Sequence, residues 1–227
     1  MTAHVALLGH PVSHSLSPRM QNAAFAAARL DWHYSAFDVE DPVAAVAALR
    51  ELGFAGANVT IPHKQAVVAA CDEADGEAVN TLIFRDGVVV GVNTDKEILA
   101  GIQATRACLI GAGGAAVTLG PALPADTRVY SRKGEWPPDA TGCDLIVNAT
   151  PVRDELLVEP QAGQVVVELA YSPDGADTAL VAAARAAGCE VVDGLDALVR
   201  QGAKSFELWT GVEAPLSVMR DSVRAGD

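Results

Sequence analysis

A lysine directly after a β-favouring run is the first residue in this sequence that could do chemistry. The segment "NVTIPHK" ends at Lys64, one of only four lysines against twelve arginines. Lysine can release a proton near neutral pH and arginine cannot, so proton transfer requires lysine. Asp95, in the segment "NTD", supplies a carboxylate that can orient it. The two form a candidate pair for general acid–base catalysis, typically worth ~10²–10⁴ in rate.

Both residues also have structural interpretations. Lys64 could be a solvated lysine in the first turn of a helix, and Asp95 could cap the helix that follows it. Other chemistry is disfavoured. His10, His14 and His63 lack an accompanying carboxylate cluster, and the four cysteines have no CxxC spacing, so we predict no metal site and reduced thiols. No G-x-S-x-G elbow accompanies the segment "SHS", which argues against a serine hydrolase.

A glycine-rich loop in the second half of the chain indicates a dinucleotide. The segment "LIGAGGAA" places Gly111, Gly113 and Ala116 in the G-x-G-x-x-A pattern directly after an apolar strand. Such a loop lets backbone N–H groups approach a pyrophosphate. About twenty residues later the next strand ends in "YSRK", where basic residues suit a 2′-phosphate, so NADP is favoured over NAD. The alternatives are a structural glycine turn and a solvated basic turn.

The elements that position these residues alternate between strands and helices. "HVALLG", "WHYSAFDV" and "GANVTI" read as strands, and a hairpin is predicted to turn at Asp86 and Gly87. Helices are predicted from Ser17 as N-cap, from the Asp-Pro of "DPVAAVAALREL", over "PHKQAVVAAC", and from about Lys96 to Thr105. This order predicts an α/β fold with a largely parallel sheet.

From Arg106 onward the pattern restarts and predicts a second domain. "RACLIG", "TRVYS", "DLIVNAT", "QVVVEL" and "CEVVDG" are five strand candidates, enough for a doubly wound, Rossmann-like domain. Its first helix is expected to be cut short by "LGPALP", and "GEWPPDATGC" is predicted to be loop. The last segment is helical by pattern and returns to the first domain. We therefore predict domains over residues 1–103 plus 203–227 and over residues 104–202.

Composition restricts the partners. A net charge of −13 argues against nucleic acid and anionic membranes, because both require a basic face. The apolar N-terminal stretch is too short for a signal or membrane-spanning segment. We expect a cytoplasmic protein with a small-molecule substrate, and a homodimer is left open.

Six segments in order resemble the shikimate dehydrogenase family along nearly the whole chain: "GHPVSHSLSP", "NVTIPHK", "AVNTL" with "NTD", "LIGAGGAA", "NATP" and "DGLDALVRQGAKSFELWTG". The resemblance implies two α/β domains with a cleft between them. It also implies reversible reduction of 3-dehydroshikimate to shikimate with NADPH, in aromatic amino-acid biosynthesis. A quinate or amino-shikimate dehydrogenase of the same family, and a weakly active or inactive shikimate-binding paralogue, remain alternatives.

The resemblance also implies roles for individual residues, with Lys64 and Asp95 as the catalytic pair. Ser15 and Ser17 would bind the substrate carboxylate. The other implied substrate contacts are Thr60, Asn80, Tyr171 and Gln201, of which Tyr171 also lies on the nicotinamide side. The implied cofactor contacts are Gly111, Ala112, Gly113, Gly114 and Ala115 at the pyrophosphate, Ser131, Arg132 and Lys133 at the adenosine phosphate, and Leu169 and Gly194 at the nicotinamide.

The sequence departs from the family in ways that bear on function. Lys96 stands where the family usually has glycine after "NTD", so it could compete for Asp95 or contact substrate. Gln21 replaces a family histidine. The cofactor domain lacks a full helix on each side of "YSRK". We therefore expect weakened or altered cofactor binding.

Overall fold

The computed structural model describes residues 2–172 and 174–225, which divide into two compact units. Unit one contains the described residues up to Glu97 together with Val199–Ala225, and unit two contains Ile98–Leu198. Within the described ranges, no helix is both long enough and apolar enough to cross a membrane.

The helices and strands alternate through both units. Unit one begins with β1 (Ala3–Gly9), α1 (Ser17–Ala27), β2 (Trp32–Asp38), α2 (Pro42–Glu51), β3 (Gly56–Val59), β4 (Glu73–Ala74), β5 (Thr81–Arg85) and β6 (Val88–Val92). Unit two contains β7 (Arg106–Ile110), α3 (Gly114–Leu119), β8 (Asp126–Tyr130), β9 (Leu145–Asn148), β10 (Val165–Glu168), α4 (Ala179–Ala186) and β11 (Glu190–Val192). The chain then continues through α5 (Gly194–Thr210) and α6 (Leu216–Arg224).

The sheet of unit one has the strand order β2-β1-β3-β5-β6-β4 and is mixed. β1 pairs in parallel with β2 and β3, whereas β3 with β5 and β5 with β6 are antiparallel. β4 also pairs in parallel with β6, so three of the five pairings are parallel, as expected, and the hairpin adds the two antiparallel ones. The hairpin itself is confirmed, since Asp86 and Gly87 both have positive φ at its turn. β1 is buried on both faces, as its unbroken apolar run requires.

Unit two contains the five predicted strands in one parallel sheet, ordered β11-β10-β9-β7-β8. Counted from β7, this is the doubly wound order 2-1-3-4-5, and it reverses direction beside β7. The α/β doubly wound prediction is confirmed. α3 has only six residues before Gly120 and Pro121 enter a 3-10 turn, and the segment after β8 is loop. Both predicted truncations of this unit are present.

Two predicted helices are wrong. The segment from Pro62 to Cys71 forms a turn followed by a 3-10 helix over Ala66–Ala70. An α-helix would need the Lys64 carbonyl for its own ladder, but that oxygen accepts a hydrogen bond from the Val79 N–H. The helix predicted from Lys96 to Thr105 is instead a 3-10 helix over Thr94–Leu99, since Gly101 turns to positive φ (82°) two residues beyond its end.

The predicted N-cap at Ser17 is also wrong. Leu16 occupies the cap position in helical conformation, and Ser17 is the first residue of α1. Because Ser17 already lies inside the helix, its hydroxyl is past the position from which a side chain caps the first N–H groups. The cap predicted at Asp41 is confirmed, because its carboxylate accepts hydrogen bonds from the N–H groups of Val43 and Ala44.

Candidate functional site

Lys64, Asn80 and Asp95 meet in unit one although three separate segments carry them. The Lys64 Nζ lies 2.6 Å from Asp95 Oδ2, and Asn80 Nδ2 lies 2.7 Å from Asp95 Oδ1. Each carboxylate oxygen therefore accepts one hydrogen bond. The side chains of Lys64 and Asp95 are 16% and 8% exposed, so the pair is largely shielded from solvent. This geometry suits a lysine whose proton can be passed to a bound molecule.

The turn that carries Lys64 is fixed by backbone and side-chain contacts. His63 N–H donates to the Thr60 carbonyl at 2.9 Å, and His63 Nε2 contacts the Val39 carbonyl at 2.7 Å. Val79 N–H donates to the Lys64 carbonyl, one residue before Asn80. The turn is thereby tied to the end of β2 and to the segment before β5.

Asp95 is held from its other side by Asn93. The Asp95 N–H donates to Asn93 Oδ1 at 3.1 Å, while Asn93 Nδ2 donates to the Ala78 carbonyl at 2.7 Å. Lys96 does not take the Asp95 carboxylate, because its Nζ lies 3.6 Å from Asp75 Oδ2. The competition considered for Lys96 is therefore resolved in favour of Lys64.

The remaining residues predicted to contact substrate lie in two groups. In unit one, Ser15 Oγ accepts a hydrogen bond from the Ser17 N–H at 3.3 Å, and Thr60 follows β3 with its methyl group against Gly9. A side chain at Gly9 would clash with that methyl group, which accounts for the glycine. Gln201 lies on α5, one turn before Ser205. Tyr171 belongs to unit two, where its carbonyl accepts a hydrogen bond from Arg153.

A buried polar cluster behind Asn80 was missed by the sequence analysis. Its members, each at most 6% exposed, are Tyr34, Asn58, Thr81, Thr94 and Ser205. Tyr34 donates to Asn58 Oδ1 at 2.8 Å, and Asn58 Nδ2 lies 3.0 Å from both the Thr81 and the Ser205 hydroxyls. Burial raises the pKa of Tyr34, which keeps it a neutral donor. The sequence feature that could have indicated this cluster is the presence of polar residues at the ends of apolar strands.

Two of the histidines considered as metal ligands, His10 and His63, have other partners. His10 pairs with Asp38, whose hydrogen bond and charge raise the pKa of His10, and His63 contacts a carbonyl oxygen. Over residues 2–172 and 174–225, no cluster of three His, Cys, Asp or Glu side chains is placed to hold a metal ion.

In unit two, the glycine loop follows β7 at the point where the strand order reverses. Gly111 has φ +123°, and an added Cβ would lie 3.1 Å from the Ala149 backbone, so only glycine fits there. An added Cβ at Gly113 or Gly114 would meet nothing within 4 Å. The loop therefore leaves open space beside its backbone, as a bound pyrophosphate requires.

The basic turn after β8 contains Ser131, Arg132 and Lys133. The Arg132 guanidinium lies over the Trp136 ring, 5.4 Å from its centroid, and 3.1 Å from Glu155. Arg132 and Glu155 are mostly exposed, so the ion pair is weak and can open for another anion. The contacts with Trp136 and Glu155 were not predicted from the sequence.

Glu168, at the end of β10, is a buried carboxyl group next to Leu169. It accepts hydrogen bonds from Asn148 Nδ2, the Ala170 N–H and the Thr178 hydroxyl. Burial raises the pKa of Glu168 to about 7, although these three donors oppose the rise. Gly194 starts α5 nearby, where an added Cβ would lie 2.1 Å from the Ala170 carbonyl oxygen.

Known proteins that are similar to this chain cover residues of both units. The family model described as "Shikimate dehydrogenase substrate binding domain" matches residues 7–82, and "Shikimate 5'-dehydrogenase C-terminal domain" matches residues 194–224. A curated relative from Moorella thermoacetica, named shikimate dehydrogenase (NADP(+)), is 38% identical over 96% of this chain and 91% of its own. One from Methanopyrus kandleri, with the same name, is 38% identical over 96% and 94%.

A solved structure extends this similarity to the backbone. Shikimate 5-dehydrogenase from Thermus thermophilus, in complex with NADP(H) and shikimate, has a TM-score of 0.85 and 32% identity. The match covers 98% of this chain and 99% of that one.

Proposed function

The chain belongs to the shikimate dehydrogenase family, and on that premise we propose that it catalyses the reversible, NADP-dependent interconversion of shikimate and 3-dehydroshikimate. The observation that carries the proposal is the Lys64–Asp95 pair, with Nζ 2.6 Å from the carboxylate and Asn80 on its other oxygen. A protein that only binds shikimate has no need of a shielded lysine arranged to move a proton.

In the oxidation direction, Lys64 acts as the neutral amine and takes the proton from the substrate hydroxyl that becomes a carbonyl. In the reverse direction it returns the proton to the same oxygen. Asp95 holds the Nζ in place through their hydrogen bond and balances its charge. Arginine in this position would keep the ion pair but could not release a proton near neutral pH.

The other polar groups of unit one recognise the substrate. Ser15 and Ser17 supply hydroxyl donors for its carboxylate, and Thr60 and Gln201 supply partners for ring hydroxyls. Asn80 gives one Nδ2 proton to Asp95, which leaves the second for substrate. A site built from such groups rejects analogues that lack a hydroxyl, because its own groups are then unpaired.

Unit two fits NADP on the residues present. The open backbone from Gly111 to Ala115 would hold the pyrophosphate, with Ala112 exposed at its tip, and Arg132 with Ser131 and Lys133 would hold the 2′-phosphate. Leu169, Tyr171 and Gly194 would line the nicotinamide side. When bound, the cofactor supplies or accepts the hydride.

The shortened elements of unit two set the expected strength of that binding. α3 ends after six residues and the segment after Lys133 is loop, so fewer fixed groups surround the adenosine. We propose a weaker affinity for NADP⁺ than in relatives with a complete domain. The domain assignments, the cytoplasmic location and the homodimer stay predictions from the sequence.

The test is turnover by purified protein. Shikimate or quinate is supplied with NADP⁺ or NAD⁺, and the absorbance of the reduced nicotinamide is followed, with Lys64→Ala as the inactive control. Shikimate with NADP⁺ should give the highest kcat/KM. No turnover with any combination would reject the proposed enzymatic activity. Faster turnover of quinate than of shikimate would make quinate the substrate.

A further inference from the structure

Two threonine hydroxyls and one serine hydroxyl lie directly behind Asn80, away from the Lys64 side. Thr81 and Ser205 are 0% exposed and Thr94 is 1% exposed. They come from three different elements, since Thr94 follows β6, Thr81 starts β5 and Ser205 lies on α5.

Asn80 Oδ1 accepts three hydrogen bonds from this group. The Thr94 N–H lies at 2.9 Å, the Thr94 hydroxyl at 3.1 Å and the Thr81 hydroxyl at 3.0 Å. A backbone N–H can only donate, so it fixes which end of the amide is the oxygen. Turning the amide over would place its NH₂ against that N–H and its oxygen against the Asp95 carboxylate. Only the orientation with Oδ1 toward Thr94 and Nδ2 toward Asp95 gives both ends of the Asn80 amide a hydrogen-bond partner.

Ser205 closes the cluster from α5. Its Oγ lies 2.8 Å from the Thr81 hydroxyl and 3.4 Å from the Thr94 hydroxyl, and it donates to the Gln201 carbonyl at 3.2 Å. The three hydroxyls are buried, where each lost hydrogen bond leaves a polar atom without water to replace it. The cluster therefore holds the Asn80 amide against movement.

We propose that Thr94 is a positioning residue whose hydroxyl locks the Asn80 amide in the orientation that donates to Asp95 and to substrate. The proposal rests on the proposed function for its catalytic consequence, while its structural part stands on the hydrogen bonds alone. When the hydroxyl is lost, Asn80 turns more freely, Asp95 loses a fixed donor, and Lys64 is less often aligned. Ser15 and Ser17 keep their hold on the substrate carboxylate, so kcat falls more than KM rises.

Thr94→Val tests this, because it keeps the shape and the backbone N–H and removes only the hydroxyl. The expected result is a kcat about five- to tenfold lower, the scale of one buried hydrogen bond, with KM for shikimate within about threefold. Thr94→Ser should restore most of the rate. The matched control is Thr210→Val, which removes a hydroxyl bonded to the Phe206 carbonyl on the same unit and should keep the wild-type rate.

A double-mutant cycle separates positioning from general packing. In an Asn80→Ala background, adding Thr94→Val should change kcat less than about twofold, because the group on which Thr94 acts is gone. The full loss appearing again in that background would overturn the proposal, and so would a Thr94→Ser protein as slow as Thr94→Val. If Thr94→Val does not fold, Thr81→Val removes another donor to the same oxygen and takes its place.

A measurement that needs no turnover tests the structural part. The side-chain NH₂ protons of Asn80 are followed by NMR hydrogen exchange in the protein without substrate. They should exchange at least about fivefold faster in Thr94→Val, the scale of one buried hydrogen bond, and at the wild-type rate in Thr210→Val. Unchanged exchange in Thr94→Val overturns the proposal. If the wild-type protein is inactive on shikimate but the Asn80 protons still exchange faster in Thr94→Val, the proposed function is rejected and the positioning role of Thr94 is kept.

Discussion

Replacing Glu168 with glutamine should remove a pH dependence of stability that the wild-type protein carries. The Glu168 side chain is fully buried, and its oxygens accept hydrogen bonds from Asn148, Ala170 and Thr178. Burial raises its pKa from 4.5 to about 7 despite those donors. The folded protein therefore holds this proton up to a higher pH than the unfolded chain does.

The size and sign of the effect follow from that difference. At roughly 1.4 kcal/mol for each pKa unit, a rise from 4.5 to about 7 corresponds to about 3 kcal/mol. Because the folded-state pKa is the higher one, this contribution is fully present below pH 4.5. It is lost as the pH rises through about 7, so unit two should become less stable between these values.

Urea unfolding between about pH 4.5 and 8.5, followed together with hydrogen exchange at the β10 amides, measures this loss in unit two. The free energy of unfolding of Glu168→Gln should change by about 3 kcal/mol less than that of wild type across this range. Glu190→Gln, an exposed substitution of the same kind on β11, should follow wild type. A Glu168→Gln protein with the wild-type pH dependence would refute the argument that burial dominates at this carboxyl group.

Two further substitutions test unit two. Gly194→Ala places a methyl group 2.1 Å from a backbone carbonyl and should destabilise the fold by about 1–3 kcal/mol in urea unfolding, whereas Gly120→Ala, which has open space, should cost less than about 0.5 kcal/mol. Equal effects would contradict the close-approach argument. Glu155→Gln should raise NADP⁺ affinity about two- to fivefold in titrations by freeing Arg132, without raising NAD⁺ affinity. Asp154→Asn, which changes the charge by the same amount, should not raise NADP⁺ affinity. Equal gains in the two variants would mean that the effect comes from net charge and not from Arg132.

Features fixed by local sequence were predictable. The hairpin at Asp86 and Gly87 follows from the need for positive φ at both turn positions, and the Asp41 cap from its carboxylate beside Pro42. The truncation of α3 follows from Gly120 and Pro121. In each case the physical cause lies within a few residues, so one stretch of sequence contains all of it.

Features fixed by distant contacts were not predictable from local pattern. The expected helix at Lys64 fails because the Lys64 carbonyl accepts a hydrogen bond from the Val79 N–H instead. Val79 lies several helical turns farther along the chain, and helix propensity does not record such a contact.

The candidate site also contains residues that the sequence predicts and residues that only the fold reveals. Lys64, Asp95 and Asn80 were predicted from motifs, and the structure brings them into direct contact. The cluster around Thr94 and Ser205 was missed, because its members belong to different elements and each alone is an ordinary polar residue. Motifs identify the groups that touch a ligand, whereas the groups that position them can be identified only once the fold is known.

The most direct test of proton transfer by Lys64 is the kcat of Lys64→Arg with shikimate and NADP⁺. Arginine keeps the positive charge beside Asp95 but cannot give up its proton near neutral pH. We predict a kcat lower by ~10²–10⁴, with shikimate binding by calorimetry retained and Lys204→Arg at the wild-type rate. A Lys64→Arg enzyme within about threefold of the wild-type kcat would contradict a role for this lysine in moving the proton.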